Sequence, residues 1–125
     1  MSVVLDASAL LAWLFDEPGG ESVAEILPEV RICSLNWSEV LQKSFARGAD
    51  VAGLRSELEA LGLMIVPFDV TDAEQAARLW EKVRHLSLAD RACLALGVRL
   101  GVTVWTADRN WEGAAVEATV HLIRP

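Results

Sequence analysis

The chain begins with a short β-branched apolar run that ends at an acid and passes at once into an apolar helix pattern, VVLDASALLAWLF at residues 3–15. Such a run is typical of a buried strand that turns into a helix. Asp6 therefore lies at the carboxyl end of a strand, the edge at which open α/β sheets bind ligands. The alternative is a helix cap, in which Asp6 or Ser8 accepts hydrogen bonds from the first free amides.

Strand and helix patterns alternate along the remaining chain. After the first strand, the predicted strands lie at 30–34, 63–68, 102–105 and 118–123. The predicted helices lie at about 8–15, 22–27, 36–47, 51–61 and 71–84, and a last helix begins within the segment 86–90 and stops at Gly101. Successive βα units predict an α/β fold with a mostly parallel sheet of four to five strands and helices on both faces. The 125 residues fit one domain, 1–125.

Composition narrows the possible partners. The net charge is -7 with scattered Lys and Arg, so there is no basic stripe that would follow duplex DNA. Mean hydropathy is +0.32, but no apolar run approaches the roughly 20 residues of a membrane helix. No positive charge precedes the first apolar run, unlike a signal peptide. We therefore expect a cytoplasmic protein without a membrane segment, whose surplus apolar surface meets another chain.

The cysteines and histidines carry no recognisable chemistry. Cys33 and Cys93 lie in apolar patterns without a nearby partner, and we expect both to be small buried side chains in a reducing compartment. His85 and His121 lack metal-ligand spacing, and His85 closes a helix pattern where a cation is favourable.

Four acids occupy equivalent places in this pattern. Asp6 and Asp108 follow predicted strands, whereas Glu39 and Asp90 fall in the first turns of predicted helices. In a doubly wound sheet all four positions point to one edge. Capping is again the alternative, because Asn36-x-x-Glu39 and the Ser-x-x-Asp segment that ends at Asp90 resemble capping boxes. Capping accounts for each acid separately, but it does not explain why four of them share an edge.

Clustered carboxylates repel one another strongly. Two unit charges at about 4 Å repel by about 4 kcal/mol at an effective dielectric of about 20. A divalent cation removes this repulsion, and an all-oxygen site suits Mg²⁺ or Mn²⁺ rather than zinc. A metal held in this way activates water and offsets charge on a phosphoryl oxygen. The pattern therefore indicates hydrolysis of a phosphodiester, with one acid guiding the attacking water.

The segments that carry these acids resemble the acidic motifs of PIN-domain ribonucleases, and most of all the VapC-type toxins of prokaryotic toxin-antitoxin pairs. They read VLDASA at 4–9, NWSEV at 36–40, LSLADRACLAL at 86–96 and WTADR at 105–109, and together they extend over nearly the whole chain. The resemblance implies a three-layer α/β/α PIN-like fold and a Mg²⁺- or Mn²⁺-dependent endoribonuclease that cuts RNA and is inhibited by an antitoxin.

The resemblance also implies roles for particular residues. Asp6 and Asp90 would be the principal metal ligands, and Glu39 and Asp108 would complete the catalytic and metal-binding site. The hydroxyls of Ser8 and Thr106 would bond to metal-bound water or phosphate. One departure from the pattern is the residue before the third motif, which is histidine, at position 85, where we expect glycine.

A protein partner has separate support in the sequence. The helix predicted at 9–15 is apolar almost all round, so packing one side on a sheet leaves the other side bare unless another chain covers it. A homodimer or an antitoxin helix would provide that cover. The alternative is burial within the helical layer of the domain itself.

Two other classes of function remain open. A receiver-like or HAD-like phosphoacceptor also places an acid after its first strand, and Asp69 is the candidate for a receiver. The acidic pair, the late lysine and the Asp-x-Asp-x-Thr pattern of those proteins are missing. The second alternative is a PIN-like module that only binds partners, and the presence of all four acids argues against it.

Overall fold

A computed structural model describes residues 2–112 and 117–125. Its centre is one sheet of five strands: β1 Val3–Leu5, β2 Val30–Cys33, β3 Met64–Val66, β4 Thr103–Thr106 and β5 Val120–Leu122. The strand order is β3-β2-β1-β4-β5, and every neighbouring pair is parallel. The predicted parallel sheet is confirmed. Because β1, β2 and β4 are neighbours, their carboxyl ends meet at one edge.

Helices follow the strands in the order that the sequence predicts. They are α1 Ala7–Leu14, α2 Gly20–Ile26, α3 Ser34–Ala46, α4 Leu54–Ala60, α5 Val70–Leu79 and α6 Leu88–Leu100, with short 3-10 turns at Leu27–Glu29 and Arg109–Trp111. None of the helices in the described part of the chain has the length and apolar character needed to span a bilayer.

The core has two halves, one on each face of the sheet. Side chains of β1 alternate between them, so that Val3 and Leu5 join the cluster of α1 and α2 while Val4 joins that of α5 and α6. Cys33 and Cys93 are free thiols buried in the second half, as predicted. The result is the three-layer α/β/α arrangement.

Helix α1 is covered within the domain. Ala9, Leu10 and Ala12 are fully buried, and both α2 and α3 pack against α1. The sequence suggested that one side of this helix would need a second chain to cover it. Over these residues the alternative holds, because α1 is buried within the helical layer of the domain itself. The largest exposed apolar side chains lie elsewhere, on Phe45, Leu61, Met64, Val70, Trp80 and Leu88.

Several predicted element boundaries are wrong, among them those of the fifth helix and the last strand. The helix predicted to reach residue 84 ends at Leu79, because the chain turns there to bury Val83 and Leu86 in the core. The amide of Val83 bonds to the Leu79 carbonyl oxygen at 3.0 Å in this turn. Trp80 is left at the surface as a consequence. The last strand is also shorter than predicted and comprises Val120–Leu122.

Candidate active site

The four predicted acids lie on the elements that leave the carboxyl edge of the sheet. Asp6 directly follows β1, and Asp108 comes two residues after β4. Glu39 belongs to α3, which follows β2, and Asp90 is the third residue of α6. The Asp6 amide donates to the Trp105 carbonyl oxygen at 3.1 Å, which joins the ends of β1 and β4.

Asp6 is the most enclosed of the four acids, with only 4% of the residue exposed. One carboxylate oxygen accepts from the Ala9 amide at 2.9 Å, so Asp6 does cap α1. The Ser8 hydroxyl lies 2.8 and 2.9 Å from the two carboxylate oxygens, and the Thr106 hydroxyl donates to one of them at 2.5 Å. Asp6 therefore caps α1 and also lies at the carboxyl edge of the sheet.

The hydroxyls of Ser8 and Thr106 connect the Asp6 carboxylate, after β1, to the backbone at Asp108, after β4. The Ser8 oxygen accepts from the Ala107 amide at 2.9 Å, and the Thr106 oxygen accepts from the Asp108 amide at 3.0 Å. The two hydroxyl oxygens are 3.2 Å apart. Because the same hydroxyls also contact Asp6, this network fixes the backbone at Asp108 relative to the Asp6 carboxylate.

Burial makes the ionised form of Asp6 unfavourable. Loss of hydration raises its pKa from 3.8 to about 6. The hydrogen bonds from Thr106, Ala9 and Ser8 oppose this rise, and the negative charge of Asp90 adds to it. A buried carboxylate whose pKa is raised in part by a second acid is typical of a functional site.

Asp90 combines a structural contact with electrostatic coupling to the other acids. It forms a capping box with Ser87, in which the Ser87 amide donates to the carboxylate at 3.2 Å and the Asp90 amide donates to the Ser87 hydroxyl at 3.1 Å. Burial raises the pKa of Asp90, the Ser87 bonds lower it, and the charges of Asp108 and Glu39 raise it. Asp90 thus lies within electrostatic reach of all three other acids.

Glu39 does not form the predicted capping box. Helix α3 begins at Ser34, earlier than predicted, which places Glu39 in the second turn rather than the first. Its carboxylate instead pairs with Lys43 at 3.0 Å, one turn further along the same helix. The capping explanation for Glu39 is therefore wrong, because its side chain is too far along the helix to reach a free amide of the first turn.

Asn36 has a role that the sequence did not indicate. The residue is fully buried, and its side-chain amide donates to the Ala89 carbonyl oxygen at 3.0 Å. This bond connects α3, which carries Glu39, to the residue before Asp90 in α6. The pattern suggested a helix cap, and no local pattern in the sequence indicated the contact with α6.

Asp108 caps the 3-10 turn that follows it. Its carboxylate accepts from the Asn110 amide at 2.9 Å. The His85 ring nitrogen Nε2 donates to the Asn110 carbonyl oxygen at 2.8 Å. This bond holds the connection between α5 and α6 against the turn that carries Asp108. Asp69, the phosphoacceptor candidate, caps α5 by accepting from the Asp72 amide at 2.9 Å.

The donor chemistry of this edge fits a hard divalent cation. Its side chains present carboxylate and hydroxyl oxygens, which Mg²⁺ and Mn²⁺ prefer. In residues 2–112 and 117–125, no group of three or more His, Cys, Asp and Glu side chains is arranged so that it could hold a metal ion. The capping bonds of Asp6, Asp90 and Asp108 and the Glu39–Lys43 ion pair direct the carboxylates toward other partners. Metal binding therefore requires side-chain rearrangement at this edge.

Comparison with known proteins gives two positive results. The family model described as PIN domain matches residues 3–117. A chain of a toxin-antitoxin complex from Klebsiella pneumoniae has a TM-score of 0.77 at 18% identity, with 98% of both chains covered. FitAcB from Neisseria gonorrhoeae has a TM-score of 0.73 at 22% identity over 97% of both chains, and DNA-bound VapBC from Salmonella typhimurium 0.69 at 13% over 98% of both. No curated protein sequence matches significantly. The structural matches show a shared fold.

Proposed function

The chain belongs to the PIN domain family, and from this premise we propose that it is a divalent-metal-dependent endoribonuclease, the VapC-type toxin of a toxin-antitoxin pair. The observation that carries the proposal is the electrostatic effect of neighbouring acids on Asp6 and Asp90. The charge of Asp90 raises the pKa of Asp6, and the charges of Asp108 and Glu39 raise the pKa of Asp90. This chain of effects, from Glu39 and Asp108 to Asp90 and from Asp90 to Asp6, supports one shared acidic site at this edge of the sheet.

Asp6 and Asp90 are the proposed principal ligands of Mg²⁺ or Mn²⁺, and Glu39 and Asp108 complete the set. When bound, the cation supplies a Lewis acid that offsets charge on the phosphoryl oxygen and activates water. Burial and the charges of neighbouring acids raise the pKa values of Asp6 and Asp90, and a bound cation would offset both effects by stabilising the ionised carboxylates.

The hydroxyls of Ser8 and Thr106 are the proposed positioning groups. Both contact the Asp6 carboxylate and hold its orientation. Each hydroxyl carries one proton and two acceptor lone pairs, so the pair can also bond to a water or a phosphate oxygen beside Asp6. Glu39 would contribute a carboxylate oxygen to the set, and its other known partner is Lys43, which pairs with one of its oxygens at 3.0 Å.

Membership of the PIN domain family argues against the phosphoacceptor alternative. A receiver-like or HAD-like phosphoacceptor does not belong to this family, and Asp69 is occupied as the cap of α5. A non-catalytic PIN-like module remains the second candidate. The presence of all four acids, and the effect of neighbouring acids in raising the pKa of Asp6 and of Asp90, favour the nuclease.

We also propose a cognate antitoxin and a homodimer as protein partners, in the cytoplasm. Two of the similar solved structures are a toxin-antitoxin complex and DNA-bound VapBC, and this likeness supports the proposal of an antitoxin partner. In this chain, Phe45 is 62% exposed and Met64 lies exposed on the edge strand β3, so apolar surface is available to a second chain. The net charge of -7 favours a basic antitoxin segment.

Light scattering tests the dimer, which would have twice the 13.6 kDa of one chain.

Cleavage of labelled single-stranded RNA by the purified chain tests the nuclease. We expect cleavage with Mg²⁺ or Mn²⁺, no cleavage with a chelator, and loss of cleavage in Asp6→Asn and Asp90→Asn. Asp16→Asn is the matched control, because Asp16 is exposed and its left-handed backbone tolerates Asn. Absence of both cleavage and metal binding in the folded wild-type chain would favour the non-catalytic module.

A further inference from the structure

Most basic side chains of this protein are engaged by internal partners. Lys43, Arg47 and Arg99, for example, form ion pairs with carboxylates at 3.0 Å or less. Within residues 2–112 and 117–125, the Lys and Arg side chains without a hydrogen bond or an ion pair are Lys82, Arg84 and Arg109. These three cations are therefore available to an external anion.

All three cations belong to segments that adjoin the candidate active site. Lys82 and Arg84 belong to the connection 80–87 between α5 and α6, which leads directly to Asp90. Arg109 follows Asp108. The bond from His85 to the Asn110 carbonyl oxygen, at 2.8 Å, holds these two segments together. The unpaired cations thus occupy one rim beside two of the four acids, on a molecule whose net charge is -7.

An exposed tryptophan lies on the same rim. Trp80 is 47% exposed and directly follows α5. The Arg84 guanidinium carbon is 4.5 Å from the centroid of the Trp80 ring, a cation–π contact that orients the ring without satisfying the hydrogen-bond donors of Arg84. The other tryptophans, Trp13, Trp37, Trp105 and Trp111, are buried or partly buried. We call Trp80, Lys82, Arg84 and Arg109 the basic rim.

We propose that the basic rim binds a single-stranded segment of the RNA substrate beside the acids, an inference that rests on the proposed nuclease function. A base stacks on the Trp80 ring, and backbone phosphates contact Lys82, Arg84 and Arg109. Stacking on an aromatic side chain requires an unpaired base, so the rim selects single strands over duplex. The local positive charge also counteracts the repulsion between RNA and an acidic protein.

Fluorescence anisotropy of a labelled, unstructured RNA oligonucleotide tests the proposal. Asp6→Asn serves as the parent protein, so that the RNA is not cut. Addition of Trp80→Ala should weaken binding about tenfold, whereas Trp80→Phe, which retains an aromatic face, should restore most of it. Addition of Arg84→Gln with Arg109→Gln should lower the slope of log K against log salt by about 0.7 for each phosphate that the protein no longer neutralises.

Two controls accompany these variants. Arg55→Gln removes the same charge from an exposed side chain of α4, in the other helical layer, and should leave RNA affinity unchanged. Duplex RNA should bind more weakly, with an affinity that Trp80→Ala does not change. We expect each variant to retain its stability because the substituted side chains are exposed, and urea unfolding measures this.

Cleavage kinetics separate this inference from the nuclease proposal. In proteins with intact acids, the rim variants should raise KM and leave kcat nearly unchanged. The rim proposal is overturned if the wild type cleaves RNA and the rim variants bind and cleave as the wild type does. If the wild type cleaves no RNA, the nuclease proposal fails, and the anisotropy measurements alone then decide whether the rim binds single strands.

Discussion

At the scale of single residues, the Asp6 carboxylate is held in surroundings that disfavour its charge. Burial raises its pKa to about 6, although three hydrogen bonds stabilise the ionised form. Near neutral pH the folded protein therefore carries an unfavourable charge, which a bound cation would compensate. Strain of this kind is typical of sites whose chemistry needs the ionised group.

This charge makes a prediction for Asp6→Asn. The folded-state pKa of about 6 exceeds the ordinary value of 3.8, so the folded protein holds the proton more tightly, and ionisation destabilises it as pH rises through that window. A rise of about two pKa units corresponds to about 3 kcal/mol. Weaker hydrogen bonds to Asn offset part of the gain, and we expect Asp6→Asn to be more stable by about 1 to 2 kcal/mol above pH 6.

Urea unfolding from about pH 4 to about pH 8 measures this effect. The difference between Asp6→Asn and the wild type should grow as pH rises and should become small below the ordinary pKa of 3.8. A variant that is less stable than the wild type at every pH would show that the cap of α1 outweighs the buried charge.

A negative charge at position 36 is predicted to destabilise the folded protein. The residue is fully buried, and its side-chain oxygen has no hydrogen-bond partner among the described residues. In Asn36→Asp the protonated carboxyl can still donate to Ala89, but the ionised form is buried near the acids of the site. We expect the variant to lose several kcal/mol of stability as pH rises from about 4 to about 8. Asn36→Leu, which lacks a titrating group, should show a loss of about 1 kcal/mol without that added pH dependence.

The sequence predicted the positions of the acids better than their partners. Asp6 and Asp108 follow apolar strands, so their place at the sheet edge could be inferred from local pattern. The contact of Asn36 with Ala89 depends on how α3 crosses α6, and no local pattern contains that information. The same is true of Glu39, whose place in its helix depends on the start of α3 at Ser34.

At the scale of elements, α5 and α6 are joined by two polar contacts. Both Asp72 oxygens accept from Arg99, at 2.8 and 3.0 Å, near opposite ends of the two helices. The Arg91 guanidinium donates to the Ala76 carbonyl oxygen at 2.7 Å, which satisfies a carbonyl in the last turn of α5. These contacts fix the helix pair that carries Asp90 and the basic rim.

The ion pair between α5 and α6 should respond unequally to removal of its two partners. Asp72 is 3% exposed, whereas the Arg99 side chain reaches solvent. Arg99→Met leaves a buried carboxylate unpaired and should cost about 3 kcal/mol, while Asp72→Asn leaves a hydrated guanidinium and should cost about 1 kcal/mol. Urea unfolding of both variants measures the order, and equal losses would contradict this account.

Close packing of α6 on β4 makes a further prediction. A Cβ at Gly97 would lie 2.3 Å from the Val104 Cγ2 atom, and Val104 is fully buried and stiff at χ1. Gly97→Ala should therefore destabilise the protein by about 1 to 3 kcal/mol despite its better helix propensity. In a double-mutant cycle, Val104→Ala should relieve much of this loss. Additive losses would show that the close approach is not the cause.

Element types were easier to predict than element ends. The apolar spacing from 71 onward indicates a helix, but its end at Leu79 follows from burial of Val83 and Leu86 in the shared core. Likewise, the apolar surface of α1 was recognisable in the sequence. Its coverage by α2 and α3 could not be inferred, because that depends on how separate segments pack.

At the scale of the whole molecule, a parallel sheet brings distant segments to one edge. The strand order β3-β2-β1-β4-β5 places β1 between β2 and β4, so the segments that carry the acids at positions 6, 39 and 108 leave the sheet at the same edge, and α6 carries Asp90. The alternation of strand and helix patterns predicted this fold class and edge. It did not predict that the few unpaired cations of an acidic chain adjoin the same edge.

Binding of Mn²⁺ by the purified chain, followed by electron paramagnetic resonance at neutral pH, tests the central claim most directly. The account predicts saturable binding that is abolished in Asp90→Asn and retained in the control Asp16→Asn. Absence of saturable binding in the folded wild type, or binding that Asp90→Asn leaves unchanged, would contradict the claim that these acids form a metal site.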